Sequence, residues 1–201
     1  MLDAMIVLAA YLIGSVSFAV LVSRWFGLPD PRSYGSKNPG ATNVLRSGRK
    51  AAAVVTLAGD GLKGWAAVAL AQWFAPQHGF TDTTIALVAV AVFVGHLYPV
   101  FFGFVGGKGV ATAAGVLLAL NAWLALVLLV LWLILAVGLK LSSLAALAAT
   151  AAALPLAWWL QMPRVYLVAI ALMGALLVWR HRSNIRKLLA GTESGFGSKA
   201  P

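Results

Sequence analysis

Long apolar segments alternate with short polar ones along the whole chain. A helix that crosses a bilayer needs about 20 predominantly apolar residues, and five segments approach or reach that length: Ala4–Ser23, Ala51–Trp73, Thr83–Phe102, Ser143–Trp159 and Val165–Trp179. A further segment, Val110–Leu139, is too long for one ordinary span and contains a polar residue, Asn121. The pattern predicts an all-α protein, a polytopic bundle of transmembrane helices with short polar loops.

The positions of Lys and Arg orient the predicted spans. Basic residues concentrate in 24–50 and in the tail after Trp179, and the positive-inside rule places both segments on the cytoplasmic side. The chain must therefore cross the membrane an even number of times between them. Two short passes broken near Asn121 satisfy this condition. We predict about seven spans with the N-terminus outside; a re-entrant segment plus one span within Val110–Leu139 is the alternative that stays open.

Composition supports a membrane protein. Hydrophobic residues make up 62% of the chain and charged residues 10%, with a mean hydropathy of +0.92, whereas a soluble domain has about 25% charged residues. The net charge of +10 follows from the positive-inside rule, so no nucleic-acid partner is expected. The N-terminal segment has no basic leading region or clear cleavage site, and we interpret it as a first span. A single domain is expected over 1–201, with a flexible tail at 192–201.

Cofactor chemistry is not indicated by the sequence. The chain has no cysteine, which excludes disulfides and thiolate metal sites. Its three histidines and five acidic residues are scattered, whereas a divalent cation prefers clustered oxygen ligands. We therefore expect neither a metal ion nor another cofactor.

Three polar segments on the predicted cytoplasmic side contain the candidate chemistry. Gly35–Arg46 combines glycines, a proline, asparagines and hydroxyls around two cations. In Gly95–Thr112, a Gly-Gly-Lys-Gly sequence precedes an apolar helix. Such glycines can aim backbone amides at one point beside the lysine and the helix N-terminus, which favours phosphate binding. In Arg180–Lys187, His181 and Asn184 are three residues apart and share a helical face. A flexible basic loop, a glycine-rich turn and a basic flank are the respective structural alternatives.

Two charged residues and one histidine fall inside predicted spans. Asp60 and Lys63 are three residues apart, which allows them to pair on one helical face. Charged groups within the bilayer are costly and either pair or serve function, and both interpretations of this pair stay open. His96, near the end of a predicted span, is interpreted first as a packing residue and second as a catalytic one.

The three segments together resemble the motifs of the bacterial inner-membrane acyl-phosphate:glycerol-3-phosphate acyltransferases. The resemblance covers nearly the whole chain, in order, and departs from the family pattern at Val105 and Ser17, where a lysine and a proline are frequent. Its motifs correspond to Ser36-x-Asn38-x-Gly40-Ala41-Thr42-Asn43 followed by Arg46, to Gly95-His96 through Gly106-Gly107-Lys108-Gly109-Val110-Ala111-Thr112, and to Arg180-His181-x-x-Asn184-Ile185 through Gly191-x-Glu193. Gly14-Ser15 and Asp60-x-x-Lys63-Gly64 also fit.

The resemblance implies transfer of a fatty acyl group from acyl phosphate to glycerol 3-phosphate, which gives lysophosphatidic acid and phosphate, the first step of phospholipid synthesis. It also implies a multi-pass protein of the bacterial inner membrane with a cytoplasmic active site, membrane lipid as its surroundings and no cofactor. The implied catalytic residues are Ser36, Arg46, Lys108, His181 and Asn184. The implied substrate phosphate-binding residues are Thr42, Asn43, Arg46, Gly106, Gly107, Lys108 and Gly109.

The residues suggest how such a reaction would proceed. Acyl phosphate is already activated, so a covalent intermediate on the enzyme is unnecessary, and direct attack of the glycerol hydroxyl is expected. The proton would pass to the leaving phosphate or to His181. A membrane transporter or channel for phosphate-bearing anions is the competing interpretation, because glycine-rich loops and broken helices occur there too. A noncatalytic membrane subunit would not need the Gly-Gly-Lys-Gly sequence.

Overall fold

The computed structural model describes residues 1–195, which form helices, turns and loops without a strand. Part of the predicted flexible tail, residues 196–201, lies outside the described residues. The helices are α1 (Leu2–Gly14), α2 (Phe18–Trp25), α3 (Ala41–Leu45), α4 (Lys50–His78), α5 (Asp82–Leu97), a 3₁₀ turn (Val100–Phe102), α6 (Val110–Leu120), α7 (Ala122–Leu139), α8 (Ser142–Trp159), α9 (Arg164–Arg180) and α10 (Arg182–Leu189). The predicted all-α membrane bundle is confirmed.

Helix length separates full spans from partial ones. Four segments within residues 1–195 are long and apolar enough to cross a membrane, namely α4, α5 with the 3₁₀ turn, α7 and α8. Two bent pairs raise this number to six: α1 with α2, bent by 41°, and α9 with α10, bent by 59°. The 11 residues of α6 rise only about 16 Å, roughly half of a bilayer core. The count of seven spans therefore stays a prediction.

The predicted break near Asn121 is confirmed. Asn121 ends α6 in extended backbone, with φ −159° and ψ 108°, and its side-chain oxygen accepts a hydrogen bond from the Leu124 amide at 2.9 Å. A side-chain acceptor at this position satisfies one of the amides that the first turn of a helix leaves unpaired. The polar residue in the middle of Val110–Leu139 thus ends one helix and caps the next.

Small residues bring α6 against α4. A Cβ atom on Gly64 would lie 3.1 Å from the backbone carbonyl carbon of Thr112, and one on Gly115 would lie 2.9 Å from the backbone of Gly61 and Trp65. Only glycine permits this distance between the two backbones, as is typical of helix pairs in membranes. The contact fixes the start of α6 relative to the middle of α4.

The lipid-facing surface is apolar. In α7 only Leu124, Leu128 and Ala136 are buried, so most of this helix presents aliphatic side chains outward. Six tryptophans near helix ends are 60–78% exposed, which is typical of aromatic belts at membrane interfaces: Trp25, Trp73, Trp123, Trp158, Trp159 and Trp179.

Two carboxylates fasten the bundle at the end opposite to the three motifs. Thr84 donates a hydrogen bond to Asp3 at 2.6 Å, and Tyr166 donates one to Asp82 at 2.6 Å. These contacts join the start of α5 to α1 and to α9. Asp3 and Asp82 lie at the opposite ends of their helices from the polar segments. They can therefore serve as controls when carboxylates near the site are substituted.

Candidate active site

One cavity gathers residues from all three motif segments. Its volume is about 610 Å³. Its polar end is lined by Ser36, Asn38, Thr42, Asn43, Arg46, Asp60, His96, Lys108, Gly109, His181, Asn184, Glu193 and Ser194. All five predicted catalytic residues are therefore brought together, although they come from segments more than 100 residues apart.

The other end of the cavity is apolar and runs between helices. Its lining comes from α6, α7, α8 and α9 and includes Leu117, Trp132, Ala149, Ala153 and Met173. On α8 the lining extends from Ser142 to Ala153, a rise of about 16 Å. A polar mouth thus continues into a groove suited to a hydrocarbon chain.

Lys108 is held at the polar end by a chain of hydrogen bonds. Its ammonium donates to the Asn184 side-chain oxygen at 2.5 Å. The Asn184 amide nitrogen donates to Glu193 at 2.6 Å, and the Ser143 hydroxyl donates to the same Glu193 oxygen at 2.7 Å. Because Glu193 can only accept when ionised, it fixes the Asn184 amide with its oxygen toward Lys108. Neither Glu193 nor Ser143 was assigned a role from the sequence.

The local environment makes the Lys108 ammonium easier to deprotonate. Burial, the largest cause, lowers the pKa of Lys108 to about 8. The carboxylate of Glu193 acts in the opposite direction, whereas the nearby Arg46, Arg180 and Lys187 lower the pKa further. An incoming phosphate would favour the charged form, because opposite charges stabilise each other where water is scarce.

The paired glycines are clamped by protein groups on both sides. The Gly107 amide donates to the His96 carbonyl oxygen at 3.2 Å. The Arg180 guanidinium donates to the Gly106 carbonyl oxygen at 2.6 Å and to that of Gly107 at 3.0 Å. Arg180, which the sequence analysis explained as a basic flank, therefore holds the loop that carries Lys108.

Close packing also explains why these two positions are glycines. A Cβ atom on Gly106 would lie 2.5 Å from the Leu97 carbonyl oxygen, and one on Gly107 would overlap the His96 ring. Neither glycine lines the cavity, and the Gly107 amide already has an acceptor within the protein. Of the predicted Gly-Gly-Lys-Gly cradle, the structure brings Lys108 and Gly109 to the cavity.

Gly109 begins α6 and turns its first residues toward the cavity. Its φ of +89° is a left-handed conformation that glycine adopts at little cost. Val110 and Ala111, in the first turn of α6, also line the cavity. The first amides of a helix have no intrahelical acceptor, so this turn adds hydrogen-bond donors beside the Lys108 ammonium.

The first motif segment forms a compact loop around Asn43. This side chain is 2% exposed; it donates to the carbonyl oxygens of Pro31, at 2.7 Å, and Tyr34, at 3.2 Å, and it accepts from the Ser36 amide at 3.0 Å. The Asn43 amide thus shapes the loop with its own hydrogen bonds. Ser36, Thr42 and Arg46 line the cavity, and within residues 1–195 Arg46 has no ion pair.

His181 lies at the junction of α9 and α10 and is 2% exposed. Its Nδ1 is 2.9 Å from the Leu177 carbonyl oxygen. Because a carbonyl oxygen only accepts, Nδ1 carries the hydrogen, and Nε2 is left as the acceptor of a neutral ring. His181 and Asn184 both line the cavity, as their shared helical face predicted.

Asp60 and Lys63 form the predicted pair on α4. Lys63 Nζ is 3.0 Å from Asp60 Oδ1, and His96 Nδ1 is 3.5 Å from the same oxygen. The exposed fractions of Asp60, Lys63 and His96 are 3%, 4% and 7%. Among residues 1–195, no group of three or more His, Asp or Glu side chains is arranged to hold a metal ion.

The arrangement fits binding of anionic groups beside an apolar chain. The ammonium of Lys108, the guanidinium of Arg46 and the free amides of α6 offer donors to phosphate oxygens. Within the described residues, no hydrogen bond joins a serine hydroxyl to a histidine. The site suits two substrates that react directly with each other.

Comparison with known proteins finds one family along nearly the whole chain. A family model described as glycerol-3-phosphate acyltransferase matches residues 4–191. A glycerol-3-phosphate acyltransferase of Janthinobacterium sp. (strain Marseille) is 62% identical over 193 residues, which cover 96% of this chain and 96% of that protein. The enzyme of the same name from Ralstonia pickettii (strain 12J) is also 62% identical, over 96% of this chain and 93% of its own length.

Two solved structures share the fold. Crystal structures of PlsY (YgiH), described as an integral membrane glycerol 3-phosphate acyltransferase, superpose with TM-scores of 0.91 for the glycerol 3-phosphate form and 0.89 for the lysophosphatidic acid form. They are 37% and 36% identical to this chain and cover 98% of it and 97% of their own length.

Proposed function

Because this chain belongs to the glycerol-3-phosphate acyltransferase family, and is therefore a multi-pass membrane acyltransferase, we propose that a fatty acyl phosphate is its donor. The acceptor is the sn-1 hydroxyl of glycerol 3-phosphate, and the products are 1-acyl-glycerol 3-phosphate, or lysophosphatidic acid, and inorganic phosphate. Family membership favours this enzyme function over the anion transporter or channel that the sequence also allowed.

The continuity of the cavity carries this proposal. Lys108 and Arg46 lie at its polar end, while its other end is an apolar groove between α6, α7, α8 and α9. Two cations at one mouth suit two phosphate-bearing substrates, and the groove suits the hydrocarbon chain of one of them. An acyl phosphate joins these features in a single small molecule, with its phosphate at Lys108 and its chain between the helices.

The reaction needs no covalent enzyme intermediate. The sn-1 oxygen of glycerol 3-phosphate attacks the acyl carbonyl carbon and forms the ester bond. The bond between that carbon and the phosphate oxygen then breaks, and its electron pair leaves with the phosphate. The hydroxyl proton passes to the leaving phosphate, either directly or through Nε2 of His181. Positioning and charge stabilisation supply most of the rate enhancement.

Each predicted site residue has a role in this scheme. Lys108, Gly109 and the first turn of α6 hold the donor phosphate and stabilise the charge that gathers on it. Ser36, Arg46, His181 and Asn184 orient glycerol 3-phosphate, with Thr42 beside them at the cavity mouth. Since Asn184 also accepts a hydrogen bond from Lys108, the donor and acceptor sites share this contact. Gly106, Gly107 and Asn43 support the site through the loops that they shape.

We further propose that the enzyme lies in the bacterial inner membrane, with the polar mouth of the cavity facing the cytoplasm. Residues of the basic segments 24–50 and 180–187 line that mouth, and the positive-inside rule assigns both segments to the cytoplasmic side. Acceptor molecules would then enter from water and acyl donors from the membrane.

A donor comparison tests the proposal directly. Purified protein in nanodiscs receives radiolabelled glycerol 3-phosphate with palmitoyl phosphate, palmitoyl-CoA or palmitoyl-acyl carrier protein. We expect labelled lysophosphatidic acid and free phosphate in equal amounts with palmitoyl phosphate alone. The Lys108→Ala variant should turn over about 10²–10³-fold more slowly, the usual effect of removing one donor to a developing charge. Product formed from the thioesters and not from palmitoyl phosphate would refute the donor assignment.

A further inference from the structure

A buried charged cluster contacts the loop that carries Lys108 without including any residue assigned to substrate above. Its members are Asp60 and Lys63 on α4 and His96 near the end of α5. Asp60 Oδ1 is the shared contact, 3.0 Å from Lys63 Nζ and 3.5 Å from His96 Nδ1. Burying charged side chains within a membrane protein costs free energy. Such groups are therefore expected to serve a structural or functional purpose.

His96 connects the cluster to the loop in two ways. Its carbonyl oxygen accepts a hydrogen bond from the Gly107 amide at 3.2 Å. Its ring lies so close to Gly107 that a Cβ atom there would overlap Nε2 and would lie 2.9 Å from Cε1. The residue immediately before Lys108 therefore rests on both the backbone and the imidazole of His96. Asp60 Oδ1 lies 3.5 Å from the opposite nitrogen, Nδ1, where its negative charge favours this orientation of the imidazole.

Further hydrogen bonds fix Asp60 and Lys63 themselves. The Thr112 hydroxyl, in the first turn of α6, donates to the Asp60 carbonyl oxygen at 3.0 Å. The Lys63 ammonium also donates to the Val16 carbonyl oxygen at 2.7 Å, at the break between α1 and α2. The cluster therefore joins the broken first helix pair, the middle of α4 and the start of α6. Lys108 lies two residues before α6, between Thr112 and the Gly107 contact.

We propose that Asp60 and His96 are positioning residues for Lys108, with Lys63 fixing Asp60 to the break in the first helix pair. This inference rests on the proposed role of Lys108 in binding the donor phosphate. Asp60 acts through His96, and His96 acts through Gly107. Loss of the Asp60 carboxylate frees the imidazole, the loop shifts, and the ammonium no longer meets the leaving phosphate in the reactive geometry.

A double-mutant cycle tests this inference in purified, nanodisc-embedded protein. Asp60→Asn should lower kcat about 10–100-fold, the scale expected from a displacement of about 1 Å, with KM for glycerol 3-phosphate changed by less than about threefold. In a Lys108→Ala background the same substitution should have little further effect, because residues that act through one another are not additive. Asp82→Asn is the matched control: it neutralises a carboxylate that accepts a hydrogen bond from Tyr166 at the opposite end of the bundle and should leave kcat unchanged.

The outcomes separate this inference from the proposed function. Near-normal turnover of folded Lys108→Ala would overturn the role of Lys108 and the positioning inference with it. A slow Lys108→Ala enzyme combined with normal Asp60→Asn turnover, or with effects that multiply in the double variant, would overturn the positioning inference alone. If Asp60→Asn cannot be purified, because it leaves Lys63 unpaired, His96→Asn replaces it. That variant keeps a nitrogen near Asp60 and removes the ring from Gly107, and normal turnover would likewise overturn the inference.

Discussion

The charge on Lys108 can be followed by the pH dependence of kcat/KM. This parameter reports groups of the free enzyme, in which the pKa of Lys108 is lowered to about 8, chiefly by burial. A lysine is charged below its pKa, so activity that needs the ammonium is full at lower pH and is lost as pH rises through about 8. The charged fraction falls from about 90% at pH 7 to about 10% at pH 9. We therefore expect kcat/KM to fall about tenfold over this interval.

The assay measures labelled lysophosphatidic acid at constant ionic strength between pH 7 and 10, with a blank without enzyme to correct for spontaneous hydrolysis. The second pKa of phosphate esters lies near 6, so the substrates are about 90% or more dianionic from pH 7 upward and their charge is nearly constant over this range. The loss of kcat with rising pH, its alkaline limb, should occur at higher pH than the loss of kcat/KM. The reason is that a bound phosphate dianion stabilises the Lys108 ammonium and raises its pKa.

Lys108→Arg identifies the titrating group. Arginine stays charged throughout this range, so the variant should lose the alkaline limb. Its turnover should be slower than that of the wild type, because the planar guanidinium fits the site poorly. A wild-type profile that is flat from pH 7 to 10 would contradict the lowered pKa. An alkaline limb that persists unchanged in Lys108→Arg would show that another group titrates and that the limb does not report the Lys108 ammonium.

Three further outcomes are expected. Asn184→Ala should raise KM for glycerol 3-phosphate about tenfold, the loss of one hydrogen bond to a charged group; an effect on acyl phosphate alone would contradict the assignment to the acceptor. Ala149→Phe should reduce turnover of palmitoyl phosphate far more than that of a short-chain donor, because Ala149 lines the groove; an equal loss in Ala148→Phe, on the same turn outside the lining, would count against the groove. Lys37→Cys and Lys187→Cys should react with an impermeant maleimide from the same membrane face, and labelling from opposite faces would exclude the predicted orientation.

Much of the fold could be predicted because lipid imposes one strong rule, that backbone polar groups must be satisfied within the segment. Apolar stretches of the required length therefore became helices, and the break at Asn121 followed from a polar residue in an overlong segment. The bend between α1 and α2 was not predicted, because Ser15–Ser17 contains no proline and local hydropathy remains high. That bend is accompanied by a hydrogen bond between Lys63 and the Val16 carbonyl oxygen, which depends on tertiary contact.

The site was predicted unevenly for a similar reason. The placement of Lys108, His181 and Asn184 at one cavity could be predicted because charge and glycine patterns, or helical spacing, are visible in the sequence. Glu193 and Ser143 were given no role, because their contribution is a hydrogen-bonded chain to Lys108 that joins a loop, two helices and the segment after α10. Nothing in the spacing of residues 143, 184 and 193 indicates that they meet.

Arg180 shows how one residue can satisfy two constraints at once. A basic residue after the last span obeys the positive-inside rule, and that explanation alone sufficed for the sequence. The structure places its planar guanidinium against the carbonyl oxygens of Gly106 and Gly107, with its carbon 5.6 Å from the centre of the Tyr98 ring. A lysine would serve topology equally well, but its single ammonium lacks the fork that bonds two carbonyls while stacking on an aromatic ring. The glycine pair and the arginine therefore act together. Because the glycines have no side chains, the Arg180 guanidinium can reach their carbonyl oxygens, and these hydrogen bonds hold Lys108 at the cavity.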